Sequence, residues 1–371
     1  MSVIDDLYKK IDEGREGKNI GLKTGLSKID WYTGGLQKSN YKLIFGQSGS
    51  AKSSYVIYTD LYRILKDYPN KDIIHIYYSL EMSSNVLLGK LLNLYIAETY
   101  GVVISYMDLM SIRKVLSDHY YQYILLAKEW LNSISNKLII FDKELDSDTF
   151  YGSMKELLKS WGTFTWVDNG RRLTYTPKNP ERLVNVIIDH MGLLSPKKGR
   201  NKKEEIDECS KRCVWFRETC GISFDIIMQE NRNAGSMDRR KADLSESTAE
   251  DIKDSGNCYN DCNICLAIYY PLKYQLSTYR GYNVSGENGL GSAIRSIILL
   301  KHRFGNANKV FPLGFQGSIG KFTELPPPDQ IDYFVYQSWK KDDEFDTNKT
   351  KDVIVEDVNI KDNKSTAKFH F

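Results

Sequence analysis

The chain has 371 residues, 41% of them hydrophobic and 27% charged, with a formal net charge of +3. That length can bury a substantial core in one large domain or two small ones, and the composition excludes wholesale disorder. A mildly basic balance neither demands nor excludes nucleic acid, because a local basic lining suffices to bind it. The opening stretch MSVIDDLYKKIDEG is too charged for a secretory signal. No run of about 18 apolar residues is present to span a membrane. A cytoplasmic location without membrane contact is therefore expected, with the six cysteines as reduced thiols.

Residues 1–20 read as a short amphipathic helix ahead of one main domain, 21–335. The first β-rich run, YKLIF (41–45), leads into GQSGSAKSS, which is Gly46, Gln47, Ser48, Gly49, Ser50, Ala51, Lys52, Ser53 and Ser54. This is the phosphate-loop pattern GxxxxGK(S/T) with alanine where the second glycine belongs. The helical stretch SYVIYTDLYRILKDY follows, so the motif has its strand–loop–helix setting. In that setting Gly46 and Gly49 let backbone amides curl toward phosphate oxygens, Lys52 reaches the β- and γ-phosphates, and the Ser53 hydroxyl can hold Mg2+. Ala51 adds only a methyl group, at small cost if its backbone is helix-like. A working ATP site is expected.

The second run, DIIHIYYS (72–79), is followed by Glu81. A carboxylate directly after a strand beside a phosphate loop can polarise an attacking water, although one at a helix start is also favoured by the dipole. Next comes a helical stretch with Leu87, Leu88, Leu91, Leu92 and Tyr95 on one side and Ser83 or Ser84 as cap. KLIIF (137–141) is a third run, and 161–181 reads as a β-hairpin turned through Asp168, Asn169 and Gly170, inserted before LVNVIID (183–189). After it lies the basic loop SPKKGRNKK, with Lys197, Lys198, Arg200, Lys202 and Lys203. Such a loop is as often a solvated surface as a DNA contact. ISFDIIMQ (222–229), NICLAIYY (263–270) and IRSIILLK (294–301) complete the alternation, and the charged, aperiodic stretch 336–371 reads as a disordered tail. Cys209 and Cys213, and Cys258, Cys262 and Cys265, lack zinc-site spacing and read as core residues. Apolar strands alternating with helices indicate an α/β fold, a mostly parallel sheet with helices on both faces. Ligands bind such sheets at the carboxyl ends of the strands.

Six segments then resemble one family. SLEMS (79–83) matches a motif of the DnaB-like replicative helicases, superfamily 4 proteins with a RecA-like P-loop NTPase core. GLKTGLSKIDWYTGGLQKSNYKLIFG (21–46) is similar to that family's lead-in to the phosphate loop. LVNVIIDHMGLL (183–194) resembles its Walker B strand, MQENR (228–232) its third motif, DLSESTAEDIKDSGNCYNDCNICLAIYYP (243–271) its loop-and-strand segment, and IILLKHRFGNANKVFPLGF (297–315) its KxRxG strand pair. The resemblance covers roughly 20–325 and departs at Ala51, the 161–181 hairpin, Phe304 and Glu230.

It implies that Asp189 holds magnesium through water, that Gln229 senses the γ-phosphate, and that Lys301 and Arg303 reach a neighbour's ATP site, Arg303 as arginine finger. It also implies that Lys253, Asp254 and Gly256 contact the backbone of single-stranded DNA. A hexameric ring would follow, with residues 1–20 as linker helix and motion 5′ to 3′. A separate primase, polymerase or loader would be a partner. A compact helicase without primase or N-terminal helical domain would suit a phage, acting in the host cytoplasm. The other readings are a RecA- or RadA-like recombination ATPase or circadian-type ring, and an inactive nucleotide-binding scaffold or loader.

Overall fold

The computed structural model describes residues 3–231, 246–254 and 256–341. Its strands, in chain order, are β1 (Tyr41–Gly46), β2 (Ile73–Ser79), β3 (Leu138–Phe141), β4 (Gly162–Val167), β5 (Arg172–Pro177), β6 (Leu183–Asp189) and β7 (Ser223–Gln229). Then follow β8 (Ile264–Tyr269), β9 (Thr278–Tyr279), β10 (Tyr282–Asn283), β11 (Ile294–His302), β12 (Lys309–Gln316) and β13 (Lys321–Glu324). The helices used below are α1 (Val3–Arg15), α2 (Ser27–Thr33), α3 (Lys52–Val56), α4 (Ile64–Asp67), α5 (Ser84–Tyr100), α6 (Tyr106–Leu109), α7 (Asp118–Ser133), α8 (Ser147–Trp161), α9 (Lys202–Cys220) and α10 (Asn257–Asp261).

Nine strands form one sheet in the order β13-β12-β11-β8-β1-β7-β6-β2-β3. The six from β8 to β3 run parallel, and β11, β12 and β13 extend the sheet antiparallel. Each residue of β1, β2, β6 and β8 is buried, as parallel strands covered on both faces require. Alternation divides β1 between two cores. Tyr41, Leu43 and Phe45 pack with Phe150, Met154 and Phe216 of α8 and α9 on one face. Ile44 packs with Tyr55, Leu61, Leu87 and Leu91 on the other. Cys209, Cys213, Cys258, Cys262 and Cys265 all lie in the first of these cores. The fold is the RecA-like α/β arrangement.

Several local expectations change. The helix after the phosphate loop is not uniformly α: Ile57–Arg63, between α3 and α4, is wound as a π-helix. Ser83 is the N-cap residue of α5 without a side-chain capping bond, while Ser84 instead bonds Asp142 through both its amide and hydroxyl. The hairpin forms as expected, with Asp168, Asn169 and Gly170 all at positive φ between β4 and β5. Residues 336–341, assigned above to the tail, are instead ordered: Lys340 Nζ donates to the Gly289 carbonyl at 2.6 Å, and Trp339 packs on the core. The remainder of that tail, 342–371, lies outside the described residues.

One buried ionic cluster ties the π-helical turn to the sheet. Lys42 Nζ lies 2.6 Å from Asp60 Oδ1 and 3.2 Å from Asp225 Oδ1, all three side chains being buried. Asn185 Nδ2 donates to Asp225 at 2.7 Å and Thr59 Oγ1 to Asp60 at 2.8 Å. Burial works against the Lys42 charge, but Asp225 and Asp60 outweigh it and hold the ammonium protonated. Removing one member of such a set leaves the others charged without compensation. Lys42→Met should therefore destabilise the protein by about 3–5 kcal/mol in denaturant titration. A loss within experimental error would show that the cluster is neutral when the lysine is gone.

Candidate nucleotide site

The carboxyl ends of β1, β2, β6 and β7 converge on one edge of the sheet. Gly46, the last residue of β1, is paired in register with Gln229, the last of β7. Ser79, the last of β2, is paired with Asp189, the last of β6. Beyond these ends the Leu80 and Glu81 amides both donate to the Asp189 carbonyl, at 2.8 and 3.2 Å. Hydrogen bonding of parallel neighbours thus collects the phosphate loop, Glu81, Asp189 and Gln229 at one place. These are the residues that sequence reasoning assigned to one site.

Inside the site Ser53 Oγ donates to Asp189 Oδ1 at 3.0 Å, and Tyr77 Oη donates to Asp189 Oδ2 at 2.7 Å. Asp189 is fully buried, and desolvation pushes its carboxyl up to about 6 despite those two donors. Lys52 Nζ donates to the Gln47 carbonyl at 2.9 Å. Burial lowers its ammonium, against the opposing charges of Glu81 and Asp189. Each charge is thus costly alone and awaits a complement.

The loop backbone fits a phosphate. Gly49 has φ +78°, and a Cβ there would meet nothing within 4 Å, so its exposed backbone stands on open space. A Cβ on Gly46 would lie 2.4 Å from the Ile268 carbonyl, which leaves glycine as the residue that fits. Ser53 and Asp189 present hard oxygens, the donor type that magnesium takes while keeping most of its waters.

Ala51 departs from the sequence expectation. It is not helix-like but left-handed, with φ 73° and ψ 34°, and it serves as the N-cap of α3. A Cβ in that region costs about 1–2 kcal/mol through its crowding against the carbonyl oxygen. The loop therefore keeps a glycine's conformation with an alanine in it. Four hydrogen bonds that sequence reasoning missed support the loop around it. Gln47 Nε2 donates to Tyr274 Oη at 2.6 Å, and Tyr274 Oη donates to Glu230 at 3.3 Å. Lys273 Nζ donates to the Ser48 carbonyl, and Arg295 Nε to the Ser50 carbonyl at 3.2 Å. No local motif announces these partners, which come from 225–245 residues downstream.

Lys301 and Arg303 lie elsewhere. Because β11 is antiparallel to β8, its carboxyl end falls at the amino ends of the parallel strands: His302 pairs with Ile264, which pairs with Lys42. At about 3.3 Å per residue, that is roughly 13 Å along the sheet from Gly46. The exposed Arg303 donates to the Asn260 carbonyl at 3.2 Å, and Lys301 donates to the same carbonyl at 3.0 Å. Phe304 beside them is 79% exposed.

The basic loop after β6 and the segment 251–256 come near each other, since Asp254 and Lys253 both act on the charge of Lys202. Lys253 N donates to the Gln229 carbonyl at 3.0 Å, and its side chain is half exposed. Lys197 and Arg200, however, are engaged by acids of the fold, Asp148 and Glu205 respectively. Lys198 is exposed. Arg232, residues 243–245 and Ser255 lie outside the described residues.

Residues 165–324 match the family described as DnaB-like helicase C terminal domain. Replicative DNA helicase DnaB of Helicobacter pylori strain J99 is 25% identical over 261 residues, 70% of this chain and 46% of the relative. The protein of the same name from strain 26695 is 26% identical over 258 residues, 69% of this chain and 45% of the relative. The chain thus spans less than half the length of these relatives. Among solved structures, one described as an ATPase domain superposes with a TM-score of 0.66 at 20% identity, covering 88% of this chain and all of that one. A DnaB-like replicative helicase solved for its interactions with primase superposes at 0.64 and 19% identity, covering 88% of this chain and 67% of the other. Both likenesses concern the fold. No helix among the described residues is long and apolar enough to cross a membrane.

Replacing Ala51 by glycine removes the Cβ crowding but adds some unfolded-chain entropy. Ala51→Gly should therefore stabilise the protein by about 1 kcal/mol in thermal or denaturant unfolding. Destabilisation would contradict a left-handed residue at this position.

Proposed function

We propose that this domain is an ATP-driven helicase motor that moves along single-stranded DNA as a ring. The observation that carries this reading is the convergence of Lys52, Ser53, Glu81, Asp189 and Gln229 on one sheet edge. Phosphoryl transfer needs positioning and neutralised charge more than covalent chemistry. In this reading the loop amides and Lys52 hold the phosphates, and Gln229 contacts the γ-phosphate from its place beside Gly46. Glu81 follows the end of β2 and orients the attacking water as general base. Ser53 and Asp189 would hold Mg2+, which when bound would offset the negative charge of the phosphates. The attraction of a bound cation would offset the desolvation of Asp189 and keep it ionised.

Arg303 and Lys301 supply the argument for a ring. They sit at the far edge of the sheet from the phosphate loop, so Arg303 can complete an ATP site only on a neighbouring copy. Head-to-tail repetition of that contact closes a ring when the rotation allows, six-membered by the family resemblance. Helix α1 supports the same reading as a linker: Ile4, Leu7, Tyr8 and Ile11, at helical spacing, are 48–66% exposed on it. Lys253, Asp254 and Gly256, with Lys198, are the candidate DNA contacts. Lys197 and Arg200 are weaker candidates, because each would first have to leave its acid. A separate primase, polymerase or loader is a candidate partner. The left-handed Ala51 favours a working loop over an inactive scaffold, since the shape that phosphate binding needs is retained.

The first test is steady-state ATPase with and without single-stranded DNA, beside unwinding of a forked duplex. Stimulated hydrolysis with unwinding is expected. Hydrolysis without unwinding favours a recombination-type ATPase, and binding without hydrolysis favours a scaffold. Glu81→Gln should retain ATP binding and lose about 10²–10⁴ in turnover. Arg303→Ala should retain nucleotide and DNA binding and lose about 10³–10⁵. Mixing the two mutants creates some interfaces with both residues intact, so part of the ATPase should return. No recovery in proven mixed rings would mean that Arg303 does not act across an interface.

A further inference from the structure

We infer that Arg295 is a positioning residue for the phosphate loop, and that it is what allows alanine to stand at position 51. The inference rests on the nucleotide-site reading above. Arg295 is 5% exposed, at the start of β11, far from the loop in sequence. Its guanidinium lies 3.4 Å from the Tyr270 ring centroid and 4.7 Å from that of Phe315. Nη1 donates to the Ser292 carbonyl at 2.9 Å and to the Ile294 carbonyl at 2.7 Å. With the plane of the fork fixed in this way, Nε donates to the Ser50 carbonyl. A buried guanidinium in such a cage has little freedom to turn, so the direction of its Nε–H is a fixed feature of the fold.

The Ser50 carbonyl belongs to the peptide that joins Ser50 to Ala51. Rotating that peptide about its long axis swings the carbonyl to the other side and takes Ala51 out of the left-handed region, the change a side chain with a Cβ prefers. Arg295 opposes this rotation by holding the oxygen. Because a trans peptide sets its N–H opposite its C=O, the same bond aims the Ala51 amide away from Arg295, to the open side of the loop. That is the side where phosphate oxygens would be met. The Ser50 amide, bonded to the Gln47 carbonyl at 3.1 Å, fixes the preceding peptide. A glycine at 51 would adopt the same conformation unaided. An alanine needs the clamp.

The test is a cycle of four proteins: wild type, Ala51→Gly, Arg295→Met and the double variant. Affinity for a fluorescent ADP analogue is measured, with circular dichroism and thermal unfolding as controls of fold. Arg295→Met should weaken binding roughly tenfold with alanine at 51, the scale of a lost charged hydrogen bond. With glycine at 51 the same change should cost less than about threefold, because the loop no longer needs holding. Arg295→Lys, which keeps the cation and loses the planar fork, should follow the same pattern and serves if the methionine variant does not fold. Equal losses in both backgrounds, or no loss with Ala51, would overturn the inference. So would variants at 295 that fail to fold whichever residue is at 51, since Arg295 would then serve the strand and not the loop. Wild type and Ala51→Gly that both bind no nucleotide would overturn the nucleotide-site reading instead.

Discussion

The parallel hydrogen bonding of β1, β2, β6 and β7 is the constraint from which the rest of the site follows. Parallel neighbours end together, and their last residues are register partners: Gly46 with Gln229, and Ser79 with Asp189. No single motif contains the site. Lys52, Glu81, Asp189 and Gln229 are spread over 178 positions of the chain, and only the sheet brings them to one edge. The cost is electrostatic, since burial raises the Asp189 carboxyl and lowers the Lys52 ammonium. A site whose charged groups are each disfavoured alone gains most when a ligand of complementary charge enters.

The same register separates the two halves of the proposed chemistry. Adding β11 antiparallel reverses the direction of the chain, so the KHR sequence that ends it emerges at the opposite edge from the phosphate loop. Had β11 been parallel, Lys301 and Arg303 would lie near their own Lys52. The strand direction therefore sets Arg303 away from its own phosphate loop, which supports the proposed action in trans.

Much of this was legible in the sequence, because the signals were local. Strands with continuous apolar runs, a glycine-rich loop between strand and helix, and a turn of Asp168, Asn169 and Gly170 each carry their physics within a few residues. What was not legible depends on distant partners. The conformation of Ala51 is one case: an alanine reads as helix-compatible until the loop around it is known. Lys197 is another, since a basic loop looks free until Asp148 arrives from α8. The order of 336–341 likewise depends on carbonyls at Glu287 and Gly289. Glu230, a departure from the family pattern, acquires a role only when Tyr274 is placed between it and Gln47.

Helix α10 gives the remaining link between the sheet's two edges. It begins directly after Gly256, the end of the segment proposed to meet DNA, and that segment is anchored at its other side by the bond from Lys253 to the Gln229 carbonyl. At its C-terminal end the Asn260 carbonyl accepts from both Lys301 and Arg303, with the Lys301 ammonium also 4.9 Å over the Tyr259 ring. The carbonyls that close a helix carry partial negative charge and suit two cations. Hydrogen bonds thus tie Lys253 to Gln229 on one side of α10, and Lys301 and Arg303 to Asn260 on the other, which in the proposed reading would connect the γ-phosphate side of one site to the residue that reaches the next. To act on a neighbour as proposed, Arg303 would first have to leave the Asn260 carbonyl that now accepts from it.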